Sequence, residues 1–104
     1  MPRELSQAFV KDPDSTEPVS LDWSDYLEEL GSGVQILTST WLITGPDSTL
    51  ISASPTVLSG RLQTQTFLTG GTLGGRYTVT NRIITNSTVA DIDDRSFPVL
   101  IQQR

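Results

Sequence analysis

Gly74-Gly75-Arg76-Tyr77-Thr78-Val79-Thr80-Asn81-Arg82-Ile83 is the stretch whose reading decides the fold. The chain leaves a glycine-rich turn and enters a run of strict alternation. Tyr77, Val79 and Ile83 fall on one face of an extended strand, and Arg76, Thr78, Thr80 and Arg82 on the other. A strand with one apolar and one polar face belongs to a half-buried, antiparallel sheet.

The residues around Tyr77 sharpen this. Leu73 lies four positions before the tyrosine, Gly75 two before and Val79 two after. That spacing resembles the tyrosine corner of immunoglobulin-like sandwiches, in which the ring packs in the core and the hydroxyl bonds nearby backbone. Gly70-Gly71-Thr72-Leu73-Gly74-Gly75 is not a phosphate loop, because a strand follows it rather than a helix, and it has no P-loop lysine.

Outward from this strand the chain reads as short strands separated by turns. Pro18 to Trp23 is a strand with Val19, Leu21 and Trp23 on one side. Ser24 to Leu30 reads as a short helix capped by Ser24, with Leu27 and Leu30 on one face. Gly31 and Gly33 end it. Val34 to Thr44 is a strand with two apolar phases: Val34, Ile36 and Leu42, then Leu37, Trp41 and Ile43. A bulge near Ser39-Thr40 would reconcile them, and Trp41 takes the place of a central sandwich tryptophan. Leu50-Ile51 and Val57-Leu58 flank a turn at Ser54-Pro55. Arg61 to Leu68 turns Leu62, Thr64, Thr66 and Leu68 inward and leaves Phe67 half exposed. Asn86-Ser87-Thr88 is a hairpin turn. In the last strand, Ser96 to Gln102, Pro98 cannot donate to a ladder and predicts an edge or a bulge. The expected fold is an all-β, immunoglobulin-like antiparallel sandwich of about seven strands with one short helix. Residues 1–17 are expected as an extended acidic N-terminal arm and residues 18–104 as the sandwich domain.

The totals bound the chemistry. With 104 residues the chain supports one domain and one core. It has no cysteine and no histidine. Disulfides, thiolate metal sites, cysteine nucleophiles and the commonest general base are therefore excluded. Ser and Thr supply 26 residues, which favours strands and turns over helices. No apolar run approaches the length of a membrane-spanning helix, and Met1 to Leu5 lacks the apolar core of a signal peptide. The net charge is −5, unevenly spread. Residues 1–29 hold eight acids against Arg3 and Lys11, a net of −6; the rest holds four aspartates against five arginines, a net of +1. Such a chain does not hold a phosphate backbone by charge, so no nucleic-acid partner is expected.

Three acidic groupings bear on chemistry. Asp12-Pro13-Asp14-Ser15 reads as a turn; a calcium loop needs a longer ladder of ligands with a glycine at the bend. Asp25 with Glu28 or Glu29 reads as a solvated helix turn rather than a hydrolytic pair. Asp91, Asp93 and Asp94 read as a hairpin end facing water and Arg95 rather than a metal site. No catalytic, cofactor-binding or metal residue is expected, and the chain is not expected to be an enzyme.

A resemblance supplies the functional expectation. It is carried in order by Ala8-Phe9-Val10-Lys11-Asp12-Pro13-Asp14-Ser15, Leu21-Asp22-Trp23-Ser24, and the acidic helix start running to Leu27. Ser39-Thr40-Trp41, Thr69-Gly70-Gly71-Thr72, Tyr77 to Ile83 and Asp93-Asp94-Arg95-Ser96-Phe97 complete it. Together these blocks resemble the phage fibre-tail adaptors, with departures at residues 45–60 and 86–92. The resemblance implies a small immunoglobulin-like virion protein, present in several copies, that joins tail fibres to the tail or neck through protein–protein contacts. It implies assembly in the host cytoplasm and no role for a membrane. The expected partner-interface residues are Phe9 and Val10 in the arm, Phe67, Arg82 and Arg95. A second reading is a carbohydrate- or surface-binding module of the tail, with Trp23, Tyr26 and Trp41 as its platform, although all three sit in patterns that bury them.

Overall fold

Alternation becomes two sheets packed face to face. The computed structural model describes residues 3–4, 9–87 and 91–103. The strands are β1 (Arg3–Glu4), β2 (Phe9–Lys11), β3 (Thr16–Asp22), β4 (Ile36–Thr44), β5 (Leu50–Val57), β6 (Gln63–Gly70), β7 (Arg76–Thr85) and β8 (Ile92–Ile101). A helix, α1 (Ser24–Leu30), joins β3 to β4. One sheet runs β8-β7-β4, with β1 and β2 both laid parallel along β8; the other runs β3-β6-β5. Counting β1 and β2 as one interrupted edge gives seven strands. The order is that of an immunoglobulin-like sandwich, in which β3, β6 and β5 take the places of B, E and D, and β4, β7 and β8 those of C, F and G.

The core lies between the sheets and is built from one face of each strand. β7 contributes Tyr77, Val79 and Ile83, β8 contributes Phe97, Val99 and Ile101, and Leu21, Trp23, Leu27, Ile36, Leu50 and Leu68 close it. Each such aliphatic or phenylalanine side chain contributes about 1.5–3 kcal/mol relative to exposure. Thr64, Thr66 and Leu68 face inward as their alternation predicts, but Leu62, at the strand entrance, is exposed. Gly45 crosses the Tyr77 ring so closely that an added Cβ would run into it.

Several local expectations are revised. The first 17 residues do not stand apart where they are described. β2 pairs Phe9, Val10 and Lys11 with Val99, Leu100 and Ile101, and β3 already begins at Thr16. Lys11 is buried, its Nζ donating to the carbonyls of Asp12 and Gly70, both at 2.8 Å. Burial lowers its pKa, and the nearby carboxylates of Glu17, Asp12 and Asp14 partly offset this. Asp12-Pro13-Asp14-Ser15 is a turn, closed by Ser15 N–H to the Asp12 carbonyl and Asp14 N–H to Asp12 Oδ1.

The helix has its expected span, but Ser24 does not cap it. Asp22 Oδ1 accepts the Ser24 N–H at 2.9 Å instead, because the chain turns into the helix one residue earlier, at Trp23. The β4 irregularity lies between Ile36 and Thr38 rather than at Ser39-Thr40, which leaves Leu37 and Leu42 outward and Trp41 and Ile43 half-buried. Leu50 to Val57 is one strand, kinked where Ser54 takes φ 50° before Pro55. Pro98 is not on an edge strand. It faces Thr78 across β7 and falls in the gap between the residues of β8 paired by β1 and those paired by β2, where a missing N–H does no harm. Part of the Asn86-Ser87-Thr88 turn lies outside the described residues.

Candidate protein interface

The polar groups inside the sandwich are used for bracing. Asn81 shares the inward face of β7 with Tyr77, Val79 and Ile83 and is fully buried. Its Oδ1 accepts Trp23 Nε1–H at 3.0 Å and Thr64 Oγ1–H at 2.6 Å. Its Nδ2 donates to Ser39 Oγ at 2.8 Å and to the Thr40 carbonyl at 3.1 Å. One amide thus ties together β3, β4, β6 and β7 with both ends satisfied. The alternation of β7 already placed position 81 inward; what the sequence did not show was which four partners would meet it.

A second brace sits at the corner that Tyr77 predicted. The Tyr77 hydroxyl donates to Asp47 Oδ1 at 2.7 Å and accepts the Thr72 N–H at 3.0 Å. Asp47 also accepts Thr49 Oγ1–H at 2.6 Å and Thr72 Oγ1–H at 2.8 Å. Hydrogen bonds from Thr49, then Tyr77 and Thr72, hold the Asp47 carboxyl far below the usual carboxylate range. The network pins the β4–β5 turn to the β6–β7 turn.

The five residues expected at an interface are dispersed. Phe9 is half-buried and packs on the core; Val10, also half-buried, faces Leu100. Phe67 is half-buried on the outer face of the three-stranded sheet, opposite Pro18 and Ala53. Arg82 is exposed on the outer face of the other sheet, where its Nε and Nη2 bond the two carboxylate oxygens of Asp94 at 2.8 and 3.0 Å. That bidentate pair raises the Arg82 pKa and lowers that of Asp94. Arg95 is half-buried, its guanidinium 4.1 Å from the centre of the Trp23 ring and donating to the Asp22 carbonyl. Phe67 and Arg82 therefore look out from opposite sides of the sandwich.

The aromatic platform does not form. Trp23 has no exposed surface, and Tyr26 meets it edge-on with ring centres 5.8 Å apart. Trp41 lies half-buried on the inward face of β4, opposite Asn81 and packed against the core, while Trp23, just past the end of β3, is the fully buried indole. A shallow cleft of about 400 Å³ opens beside α1, lined by Leu27, Glu28, Val34, Gln35, Gly60 and Leu62 among others. Among the described residues no group of three acidic side chains is placed to hold a metal ion. What the surface does offer is apolar: Leu37, Leu42, Ile51, Leu62, Leu73 and Ile92 are exposed, with Leu37 at 54% and Ile92 at 63%. The sequence does not announce them: Leu37 and Leu42 belong to the two competing apolar phases of β4, and the alternation of β6 points Leu62 inward.

A cysteine-free β-sandwich, whose Asn81 and Tyr77 networks brace its own strands and turns and whose exposed leucines and isoleucines face outward, defines a structural module. The family model described as "Podophage GP4 fiber-tail adaptor protein gp77" matches residues 11–100, from the buried Lys11 to the penultimate residue of β8. The chain belongs to this family of phage fibre-tail adaptors, structural proteins of the virion tail that are not known as enzymes. Comparison with curated proteins gave no match.

Proposed function

We propose that this chain joins tail fibres to the tail or neck of a podophage through protein–protein contacts alone, in several copies per particle assembled in the host cytoplasm. The observation that carries the reading is the extent of the family match, which takes in nearly the whole sandwich rather than one motif. The physical form supports it. A joint under mechanical load needs a rigid body with sites on more than one side. Asn81 and Tyr77 cross-brace the two sheets, and the exposed apolar and arginine side chains lie on both outer faces. Phe67 on one face and Arg82 on the other are the proposed contacts from the sequence reading. Phe9, Val10 and Arg95 contribute mainly by holding β2 and Trp23 in place.

The test is a phage in which this chain is not made. Particles should then carry tails without fibres, and the chain supplied in trans should restore them. Fibres retained at the normal number on particles lacking the chain would refute the proposal.

A further inference from the structure

The sandwich has four outer edges, and three of them are guarded. β3 carries Pro18 with Glu17 and Asp22; β5 carries Pro55 and the left-handed Ser54; β8 is covered by β1 and β2. Prolines, charges and covering segments are the devices by which native proteins stop sheet edges from pairing with other chains. β4 carries neither a proline nor a charge, and β5 of the other sheet passes close beside it without pairing to it. β4 runs nine residues, Ile36–Thr44, within an uncharged stretch from Leu30 to Pro46, and its one paired neighbour among the described strands is β7. Arg61 covers only its start, donating to the Ile36 and Leu37 carbonyls at 2.8 Å. The strand also holds Trp41, whose Nε1–H is shielded from solvent and meets no acceptor among the described residues.

We propose that β4 pairs with β4 of a second copy of this chain, antiparallel about a two-fold axis near Thr40, so that the two five-stranded sheets become one. The charge pattern selects this occupant. Thr38 would face Leu42 of the second copy and Thr40 would face Thr40, so no like charges meet and the cross-strand pairs are of favourable kinds. The ends are complementary. Arg61 stands at the start of the strand and Asp47 lies three residues beyond its end, so the antiparallel arrangement sets each copy's basic end beside the other's acidic end, twice. The acidic α1 helices lie near opposite ends of the joint sheet. An isologous contact closes on itself: it covers both bare edges at once and leaves no free edge from which a fibre could grow. The inference rests on the fold and not on the adaptor role, so its failure leaves that role standing.

Sedimentation of the full chain over a range of concentrations should show a monomer–dimer equilibrium. Thr40→Lys, which places two lysines face to face at the axis, should weaken it at least about tenfold with an unchanged circular dichroism spectrum. Because the chain is free of cysteine, Thr40→Cys carries a single thiol, and directly opposed residues have Cβ atoms about 4.5–5.5 Å apart. Mild oxidation should therefore link Thr40→Cys chains into dimers much faster than Leu73→Cys chains, whose thiol is exposed on a distant turn. A monomer up to about 1 mM, a dimer indifferent to Thr40→Lys, or equal crosslinking at the two positions would each overturn the proposal. Should Thr40→Lys fail to fold, the crosslinking comparison decides.

Discussion

Replacing Asn81 by alanine should remove a large part of the domain's stability, although the residue is a single buried amide. The side chain accepts from Trp23 and Thr64 and donates to Ser39 and Thr40, and it is fully buried. In Asn81→Ala the Trp23 N–H and the Thr64 hydroxyl lose their acceptor with no water at hand. Each buried donor left without a partner costs about 1–3 kcal/mol, and the vacated volume adds to that; the total is about 3–5 kcal/mol. A domain of this size has roughly 5–15 kcal/mol in all. At an m-value of about 1.5 kcal/mol/M the urea midpoint should fall by about 2–3 M. Equilibrium urea unfolding followed by tryptophan fluorescence reads this directly, since Trp23 is one of the network's own members. Thr64→Val is the control. It removes one hydroxyl while leaving Asn81 and Trp23 bonded, and should cost about 1 kcal/mol. If Asn81→Ala costs less than about 1 kcal/mol, or no more than Thr64→Val, the amide is not the brace described above.

Three other outcomes follow from the same geometry. Tyr77→Phe should leave the core filled but free the β6–β7 turn, so that the Thr72 amide, which donates to the Tyr77 hydroxyl, exchanges with solvent at least about tenfold faster; unchanged protection at Thr72 would sink this reading. On acidification, Asp47 and Asp94 have folded pKa values below their unfolded ones, so their contribution is complete above about pH 4–5 and is lost as pH falls below that. Asp47→Asn should accordingly be less stable than wild type at neutral pH and show a flatter acid limb; parallel melting curves down to pH 2 would contradict it. Arg82→Ala breaks an exposed ion pair and should leave the melting temperature within error of wild type while lowering incorporation into particles; normal incorporation would remove Arg82 from the interface.

Much of the fold was legible because a period of two is hard to disguise. Tyr77, Val79, Asn81 and Ile83 on β7 declare the buried face by alternation alone, and Thr64, Thr66 and Leu68 do so on β6 despite two of them being polar. Where two apolar phases compete, as in β4, one extra residue decides which set faces the core, and nothing local says where it is inserted. Which tryptophan is the more deeply buried is illegible for the same reason. Both lie in apolar alternations and both pack on the core, and only the tertiary meeting of Trp23 with Asn81 and Arg95 closes it off from solvent completely.

The charge of the opening residues does not reveal that part of them joins a sheet. Phe9–Lys11 is too short to announce itself as a strand, and β8 supplies the ladder that makes it one. Parallel pairing over such a distance leaves no turn signal. The interface was the least legible part. Exposed side chains were chosen by type, whereas what distinguishes a docking surface is which edges and faces the finished fold leaves uncovered.

In the proposed role this chain stands between fibre and tail. The most direct test is immunogold electron microscopy of purified particles, with antibody raised to the chain. Gold at the fibre–tail junction is the predicted result. Gold at the fibre tips, or particles that carry no label while the chain remains in the infected-cell lysate, would contradict it.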